Sequence, residues 1–368
     1  MKKQIWKRWA MIVGVMAAPA CGGSSTESAG EAAQAWNPAC PPGEIQTCEP
    51  GPRNKPVCHC ESNSPPPDGG TAPLAAYEIV AGMNHSCALL NDRSVRCWGF
   101  GYVGPTTPAL SDVAHIFAGA NGNDTCAVKS DGSMECFGPD PFAKASTAKD
   151  PELRGVTHAS VSSLFGCAVV GDQSVRCWGE VPGLNGGSLS EPTGITFATS
   201  VATTNNDACA LVVGGAAQCF GNVLFTKGLE TVPCISGEQG ISGGVRHFCA
   251  TDNVSVKCWG ADSSGDLGGV GAGSTVPNIA GVEYVGAGAA HSCAALYDGT
   301  VRCWGSDSFG QLGGSSTSRS IPNLANVSRI AAGGNHNCAV LRDGTVRCWG
   351  DDRNGQLGGS SIATPVTF

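Results

Sequence analysis

A pair of cysteines, nine or ten positions apart, recurs seven times in this chain. The last copy begins at Asn337 and reads NCAVLRDGTVRCWGDDRNGQLGG, so two cysteines bracket an Asp-Gly and a Trp-Gly follows the second. Successive copies start 39 to 45 residues apart. Their first cysteines are Cys87, Cys126, Cys167, Cys209, Cys249, Cys293 and Cys338. A repeat of this length indicates a repeat architecture and constrains the whole fold.

Each copy predicts a β-hairpin. Asp343-Gly344 lies between two short runs of apolar and β-branched residues, which is typical of a turn between antiparallel strands. A three-residue turn with a left-handed Gly344 places Cys338 directly opposite Cys348. Opposed strand residues have Cα atoms about 4.5–5.5 Å apart, within reach of a disulfide. The alternative is two buried free thiols, and the cellular compartment decides between them.

All seven cysteine pairs are predicted to form disulfides within their own repeat. They are Cys87–Cys97, Cys126–Cys136, Cys167–Cys177, Cys209–Cys219, Cys249–Cys258, Cys293–Cys303 and Cys338–Cys348. Each closes a short loop, so each is expected to stabilise by about 2–3 kcal/mol. The Cys249–Cys258 pair has one residue fewer between its cysteines, so we expect it to have the poorest geometry.

The first twenty residues indicate export. Four Lys or Arg residues among the first eight precede an apolar run that ends in small residues. The sequence APAC from Ala18 to Cys21 resembles a bacterial lipobox, with Ala18 where that motif usually has Leu. The resemblance implies that Cys21 is lipidated, and Gly22 resembles the residue found in lipoproteins sent to the outer membrane. The alternative is a secreted protein cut nearby; both favour disulfides.

Composition agrees with an exported all-β protein. Charged residues make up only 14% of the chain and the formal net charge is −8, so binding to a nucleic-acid backbone is not expected. Glycine, at 53 of 368 residues, is about twice its usual share, while 41% of the residues are hydrophobic. Many turns around abundant core material favour a large β-protein. After the signal, no apolar segment is long enough to span a membrane.

The domain order follows from these features. It is predicted as a signal peptide 1–20, a lipidated cysteine with a flexible tether 21–39, a small disulfide segment 40–60, a Pro/Gly-rich linker 61–76 and a repeat domain 77–368. In the small segment, Cys40 and Cys48 are expected to pair with Cys58 and Cys60 in one of two orders, because a Cys58–Cys60 ring would be strained. A zinc site is disfavoured there by the spacing. Cys234 is left over as an odd thiol.

The repeat length fits four short strands, which is one blade of a β-propeller. An apolar-Ala-Gly strand precedes each cysteine pair, and short strands that contain proline follow, as at 276–278, 321–323 and 364–366. Seven blades can close into a ring without free sheet edges. An open solenoid is the rival architecture, but neither end has a polar capping repeat. The predicted fold is therefore an all-β, seven-bladed propeller.

The sequence AGGNHNCAVLRDGTVRCWGDDRNGQLG, near the C-terminus, resembles the repeat of the regulator of chromosome condensation family. The resemblance extends over residues 77–368 and is strongest in the last two copies. Copies around Cys126 and Cys209 differ, since Phe137 and Phe220 replace the tryptophan. Paired cysteines distinguish this chain from the eukaryotic members and suggest an exported bacterial relative. The family name implies guanine-nucleotide exchange, which requires a cytosolic GTPase.

Repeated side chains are interpreted as structural. The tryptophans at one strand position are expected to pack between blades: Trp98, Trp178, Trp259, Trp304 and Trp349. The histidines two residues before a cysteine are expected to be structural hydrogen-bonding groups: His85, His247, His291 and His336. No GxSxG, HExxH or phosphate-binding loop occurs, so no enzyme, metal or cofactor is predicted.

The leading functional hypothesis is a monomeric, non-catalytic binding scaffold in the cell envelope, held to the membrane only by its lipid. Its partner would be a protein or a glycan that binds the loops after Trp-Gly. Aromatic and charged residues in these loops are the candidate contacts: Phe100, Tyr102, Asp307, Phe309, Asp352 and Arg353. The alternatives are guanine-nucleotide exchange, which the export signal opposes, and an envelope enzyme with a site in the central channel.

Overall fold

A computed structural model describes most of the repeat domain and a short N-terminal hairpin. The described residues are 44–50, 56–62, 74–106, 108, 110–139, 153–181, 195–222, 224, 229–314, 321–361 and 364–368. Only the backbone is described for 44–50, 56–62 and 103–106. The predicted signal peptide, the lipidation at Cys21, the tether 21–39 and residues 63–73 of the linker lie outside this part of the chain.

The repeats fold as seven antiparallel sheets, the blades, each formed by strands that are consecutive in the chain. Blades 1 to 3 contain β3 Ala76–Ala81, β4 His85–Leu90, β5 Val95–Gly99 and β6 Tyr102–Thr106; β7 Val113–Ala118, β8 Thr125–Lys129 and β9 Met134–Phe137; β10 His158–Val161, β11 Phe165–Val169 and β12 Val175–Gly179. Blades 4 and 5 contain β13 Ala198–Thr203, β14 Asp207–Val212, β15 Ala217–Gly221 and β16 Glu230–Thr231; β17 Gly240–Gly243, β18 His247–Thr251 and β19 Val256–Gly260. Blades 6 and 7 contain β20 Val282–Ala287, β21 His291–Leu296 and β22 Val301–Gly305; β23 Val327–Ala332, β24 His336–Leu341 and β25 Val346–Gly350.

The remaining two strands, β1 Glu44–Pro50 and β2 Pro56–Ser62, pair as a separate hairpin. Their register places Cys48 opposite Cys58. The pairing of the four cysteines predicted for 40–60 depends on side chains outside the described part. None of the described residues forms a helix long and apolar enough to cross a membrane.

The predicted hairpin register is confirmed. In blade 7, Val340 lies opposite Val346 and Cys338 lies opposite Cys348, and the Leu341 amide donates to the Thr345 carbonyl at 2.9 Å. All seven predicted disulfides are present, one in each blade, with Cα–Cα distances of 3.9 to 4.1 Å. These distances are slightly shorter than expected for opposed strand residues.

The expectation of poor geometry for Cys249–Cys258 is wrong. Its Cα–Cα distance of 4.1 Å lies within the range of the other pairs, because the turn absorbs the missing residue. Asn253 adopts φ 66°, and the Asp252 carboxylate accepts hydrogen bonds from the amides of Val254 and Ser255 at 3.0 and 2.6 Å. The shorter turn therefore leaves the strand register unchanged.

The turn of every hairpin contains a residue with positive φ, four positions before the second cysteine in six blades and five positions before it in blade 5; in blade 4 the preceding Gly214 also has positive φ. The seven residues are Arg93, Gly132, Gln173, Gly215, Asn253, Gly299 and Gly344, with φ between 63° and 81°. Glycine adopts this conformation without steric cost, whereas residues with a Cβ are strained there. The Asp-Gly of the repeat is therefore a requirement of the turn, and Arg93 and Gln173 depart from it.

The blades pack face to face, so each hydrophobic core is shared between neighbours. Between blades 7 and 1, for example, Leu90 and Trp98 of blade 1 pack with Val340 and Val346 of blade 7. The repeated tryptophans are buried, with exposed fractions of 0 to 6%. They occupy the packing position that the sequence predicts.

A buried histidine of one blade is hydrogen-bonded to a side chain of the next blade. His85 Nε2 lies 2.8 Å from Thr125 Oγ1, and the equivalent contacts are His247 to Ser292 at 2.9 Å, His291 to Asn337 at 3.0 Å and His336 to Ser86 at 2.9 Å. Because the Ser86 hydroxyl donates to the Gln356 carbonyl at 3.1 Å, His336 must be the donor in its own contact. Burial lowers the pKa of all four imidazoles well below 6.5, so at neutral pH the histidines are uncharged structural groups.

The tryptophan indoles form a second set of contacts between blades. Trp98, Trp304 and Trp349 donate to the carbonyls of Gln356, Asp266 and Gln311 at 2.8, 2.9 and 3.0 Å. Each of these carbonyls belongs to the preceding blade, in the loop after its Trp-Gly. The loops are thus fixed to the neighbouring blade by buried hydrogen bonds, which hold their backbone in place.

Blade 7 meets blade 1 through the same contacts, which closes the ring. His336 reaches Ser86 at this junction, as described above. The junction also contains hydrogen bonds from Trp98 Nε1 to Gln356 O, from Gly334 N to Gly82 O at 3.1 Å and from Ala76 N to Gly344 O at 2.9 Å. The ring is therefore closed by an interface between complete blades.

The segments with proline that follow the third strands are not the strands predicted for blades 5, 6 and 7. Val276, Ile321 and Val366 each donate one backbone hydrogen bond to the third strand, at 2.8, 3.1 and 2.8 Å, and no strand is assigned within these described segments. Proline has no amide hydrogen and cannot extend the pairing. Asn278 and Asn323, which follow the prolines at 277 and 322, adopt positive φ and turn the chain away.

Cys234 occupies the corresponding position after Pro233, with φ 68°. The sequence suggested an odd thiol at this position. In the structure Cys234 is disulfide-bonded, and its partner lies outside the fourteen blade cysteines, each of which is paired within its blade.

The turn position predicts opposite effects of two substitutions. Gln173 is exposed and adopts φ 63°, so Gln173→Gly should raise the free energy of unfolding by about 0.5–1 kcal/mol. A Cβ at Gly344 would lie 2.5 Å from the Ala75 Cβ, so Gly344→Ala should lower it by at least about 1–2 kcal/mol. Urea unfolding with the disulfides intact measures both. A Gln173→Gly variant less stable than the wild type would contradict the strain argument.

The buried histidines predict a loss of stability in acid. Burial lowers the pKa of His85 and His291 to about 4, and that of His247 and His336 to about 3, from 6.5. As the pH falls through 6.5 the unfolded chain binds protons at these positions and the folded chain does not. Stability conferred by the neutral histidines is therefore full above pH 6.5 and is lost towards pH 4.

His336→Gln isolates one of these groups, because glutamine keeps a donor near Nε2 and does not titrate. Between pH 7 and pH 5 the wild type should lose about 2 kcal/mol more of unfolding free energy than this variant. Burial raises the pKa of Glu283 to about 7, which acts in the opposite sense in both proteins. Equal pH dependence of the two unfolding curves would show that His336 does not contribute.

Candidate partner-binding rim

The first strand of each blade lines the central channel and is called here the inner strand. The loops after Trp-Gly and the loops after the inner strands lie at the same end of the ring, called here the loop rim. Phe100 N donates to Asn84 O at 2.8 Å, Ser306 N to Ala290 O at 2.8 Å and Asp351 N to Asn335 O at 2.9 Å. The hairpin turns, such as 342–344, lie at the other end, called here the hairpin face. The loops that carry Phe100, Phe309 and Arg353 therefore lie at this end of the ring.

Two of the candidate residues hold their loops together. Asp307 Oδ1 accepts a hydrogen bond from Leu312 N at 2.8 Å, and Asp352 Oδ1 accepts one from Leu357 N at 2.9 Å. Asp262 makes the equivalent contact with Leu267 N at 3.3 Å. Because the same residue type makes the same bond in three blades, these carboxylates shape the loop.

Phe309 and Arg353 come together at the loop rim from neighbouring blades. The Arg353 Cζ lies 4.5 Å from the centroid of the Phe309 ring. The guanidinium also donates to both carboxylate oxygens of Asp351, at 2.9 and 2.7 Å. These hydrogen bonds hold the pKa of Asp351 below its usual range. Arg353 is thus oriented in advance while the Phe309 side chain remains 39% exposed.

Further exposed apolar residues lie on blade 1, next to blade 7. Phe100 is 46% exposed and Met83 is 44% exposed. Asn84 joins the two blades, because its Oδ1 accepts a hydrogen bond from Asn354 Nδ2 at 3.3 Å. The rim patch, defined as Met83, Phe100, Phe309 and Arg353, therefore extends over the consecutive blades 6, 7 and 1.

Tyr102 lies below this patch. It is half-buried, its ring centroid is 6.0 Å from that of His85, and it packs against the core between blades 1 and 2. Burial raises the pKa of its phenol to about 12. Tyr102 therefore supports the rim from within, whereas Met83, which was not among the sequence candidates, is on the surface.

The central channel contains polar residues that the sequence reasoning missed. Glu78 accepts a hydrogen bond from Ile116 N at 2.8 Å and lies 3.3 Å from His115 Nδ1. The Arg329 Cζ lies 4.9 Å from the Tyr284 ring centroid. These residues occur once each and share no repeated type, so a search for repeated side chains passes over them. Among the described residues, no group of three His, Cys, Asp or Glu side chains is arranged to hold a metal ion.

Seven blades closed around a channel define a seven-bladed β-propeller. The model of the Regulator of chromosome condensation (RCC1) repeat matches residues 77–104, 282–311 and 327–356, and a second model of that description matches 298–340. The predicted resemblance to this repeat is therefore confirmed for these residues. A comparison with curated proteins gives no match.

Solved structures share this fold at low sequence identity. Prp20p from Saccharomyces cerevisiae, described with its binding to Gsp1p and histones, is 15% identical over 80% of this chain and 88% of that chain, with a TM-score of 0.62. Yeast RCC1 (Prp20) with Kap60 bound is 14% identical over 83% of this chain and 91% of that chain, with a TM-score of 0.63. Human WBSCR16 is 15% identical over 72% of this chain and 84% of that chain, with a TM-score of 0.59. At these identities the likeness concerns the fold alone.

Proposed function

We propose that this protein is a non-catalytic scaffold that binds a protein partner through its loop rim. The observation that carries the proposal is the rim patch, in which two exposed aromatic rings, a methionine and a pre-oriented arginine lie on three consecutive blades. Aromatic, methionine and arginine side chains are the types enriched at protein interfaces. The loops beneath them are fixed by buried hydrogen bonds, so binding would cost little ordering.

The propellers of similar fold support a binding role in general terms. Prp20p is described with its binding to Gsp1p and histones, and yeast RCC1 is seen bound to Kap60. A protein partner is therefore preferred here to a glycan, which the exposed aromatic rings would also fit.

The proposed location is the cell envelope, with the propeller held to the outer membrane by a lipid on Cys21. The export signal and the APAC sequence support this location, and seven disulfides suit an oxidising compartment. The same location opposes guanine-nucleotide exchange, because the GTPases that this activity requires are cytosolic. A secreted form remains the alternative.

The rim predicts where a partner can be crosslinked. A photoreactive residue at position 309 or 100 of the exported full chain should capture the same envelope protein, and one at position 254 should not. Val254 is 52% exposed in the turn of blade 5 on the hairpin face, so it is a matched control of similar exposure. Capture from position 254 alone would place the interface on the other face, and binding only to glycans would refute a protein partner.

The purified partner then allows a quantitative test. The double variant Phe309→Ala/Arg353→Ala should bind at least about tenfold more weakly, since a true anchor contributes more than about 1 kcal/mol. Its unfolding free energy should change little, because neither side chain belongs to a buried core. Val254→Ala should bind like the wild type. Unchanged affinity in the double variant would move the site away from the rim.

Lipidation is tested separately. Cys21→Ser should release the protein from the membrane fraction, because the lipid is its only proposed anchor, and should leave the propeller folded. Fractionation and incorporation of labelled fatty acid provide the readouts. A mutant that stays with the membrane, or a wild type that incorporates no label, would count against the anchor.

A further inference from the structure

The channel along the propeller axis encloses a cavity of about 250 Å³ that is lined by all seven inner strands. Much of its wall is small or apolar, as at Ile79, Ala159, Val201, Ala202 and Ile330. Charged groups in such a wall are costly unless something pairs with them. A charged group on this wall without a partner in the protein would therefore indicate a ligand.

One level of the channel carries a different residue from nearly every blade. Each residue at this level lies on the inner strand and pairs with the residue two positions after the first cysteine of its blade. The seven residues are Glu78, His115, His158, Ser200, Gly240, Tyr284 and Arg329. Other levels of the blades repeat the same residue types because the packing repeats. Histidine occurs twice at this level and the other five residues all differ, so the common packing does not set it. Of the seven residues, Glu78, His158, Tyr284 and Arg329 line the cavity.

Glu78 is already paired within the protein. Its two carboxylate oxygens contact Ile116 N at 2.8 Å and His115 Nδ1 at 3.3 Å. Burial alone would raise the pKa of Glu78, but the hydrogen bond and charge of His115, with Arg329 nearby, lower it. His158 is likewise engaged, since its Nδ1 accepts a hydrogen bond from Val201 N at 3.3 Å. Neither group is left to seek a ligand.

Arg329 is different. Its guanidinium lines the cavity and stacks over the Tyr284 ring. Within the described part of the chain it forms no hydrogen bond and no ion pair within 4.0 Å, and the charges of Glu78 and Glu283 act on it only from farther away. Glu283 itself lies 3.8 Å from Arg342. An arginine presents five N–H donors in a planar fork, and stacking on an aromatic ring leaves the edge of this fork unused.

We propose that the channel binds a small, singly charged carboxylate with a short apolar body, held by the fork of Arg329 beside Tyr284. A carboxylate matches the guanidinium fork with two parallel hydrogen bonds. The apolar body would lie against the walls formed by Ile79, Val201 and Ile330. This inference is independent of the partner proposed for the loop rim.

The charge balance of the channel favours a single negative charge. Arg329 is the one lysine or arginine of the described lining, and the charge of Glu78, which His115 contacts at 3.3 Å, lies in the same lining. A dianion such as phosphate would bring a second negative charge towards Glu78 without another cation to meet it. An alcohol of the same shape would leave the Arg329 donors unpaired.

The test uses the folded, exported full chain and four probes, two carboxylates and two controls. Butyrate and benzoate should bind with a Kd at or below about 1 mM in calorimetry or saturation-transfer NMR. 1-Butanol and inorganic phosphate should each bind at least about tenfold more weakly. No carboxylate binding, or equal binding of phosphate, would overturn the proposal without any variant being needed.

Variants then locate the site. Arg329→Met keeps the aliphatic stem and removes the fork, and should weaken benzoate binding at least about tenfold. Arg329→Lys keeps the charge and should give an intermediate affinity, which also shows that the channel still folds. Arg154→Met removes an exposed arginine outside the channel and should leave the affinity unchanged. Binding that survives Arg329→Met in a folded protein would refute the assignment, while the rim experiments would stand.

Discussion

Four of the seven blade junctions depend on a hydrogen bond between a buried histidine of one blade and a hydroxyl or amide side chain of the next. Burial keeps each imidazole neutral, because a charged ring without a counter-ion would be expensive at zero exposure. At three of these junctions the accepting side chain, Ser86, Ser292 or Asn337, also donates to a loop carbonyl. One short chain of hydrogen bonds therefore fixes both the angle between two blades and the backbone of the rim loop after Trp-Gly.

This coupling explains why the rim can expose apolar side chains and still be rigid. The carbonyls of Gln311 and Gln356 each accept an indole hydrogen bond and a second side-chain hydrogen bond from the next blade. The side-chain oxygens of the same two glutamines accept the amides of Phe309 and Asn354 at 2.7 and 2.8 Å. The loop tips are thus supported from below by fully buried glutamines. Exposed residues on such loops are free for recognition because they do not hold the loop together.

The sequence predicts well the features that recur from blade to blade. Hairpin register, the disulfides, the buried tryptophans and the left-handed turn glycine all recur, so one copy reinforces another. It predicts poorly what depends on unlike residues meeting across a blade boundary. Asp307 and Asp352 resemble surface anchors in the sequence but cap their own loops, and Tyr102 proves to be half-buried. Arg329 differs from the residues at its level in the other blades, so repetition offers no sign of its place in the channel.

Each described blade consists of one continuous stretch of chain, and the two ends of the propeller meet across the junction of blades 7 and 1. No strand is shared between the beginning and the end of this described part, so the junction resembles the other six. The order of the blades is in this sense circular. A circular permutant, with the present ends joined and new ends between any two blades, would therefore form the same ring. For the same reason, whole blades can be copied or exchanged as units during evolution.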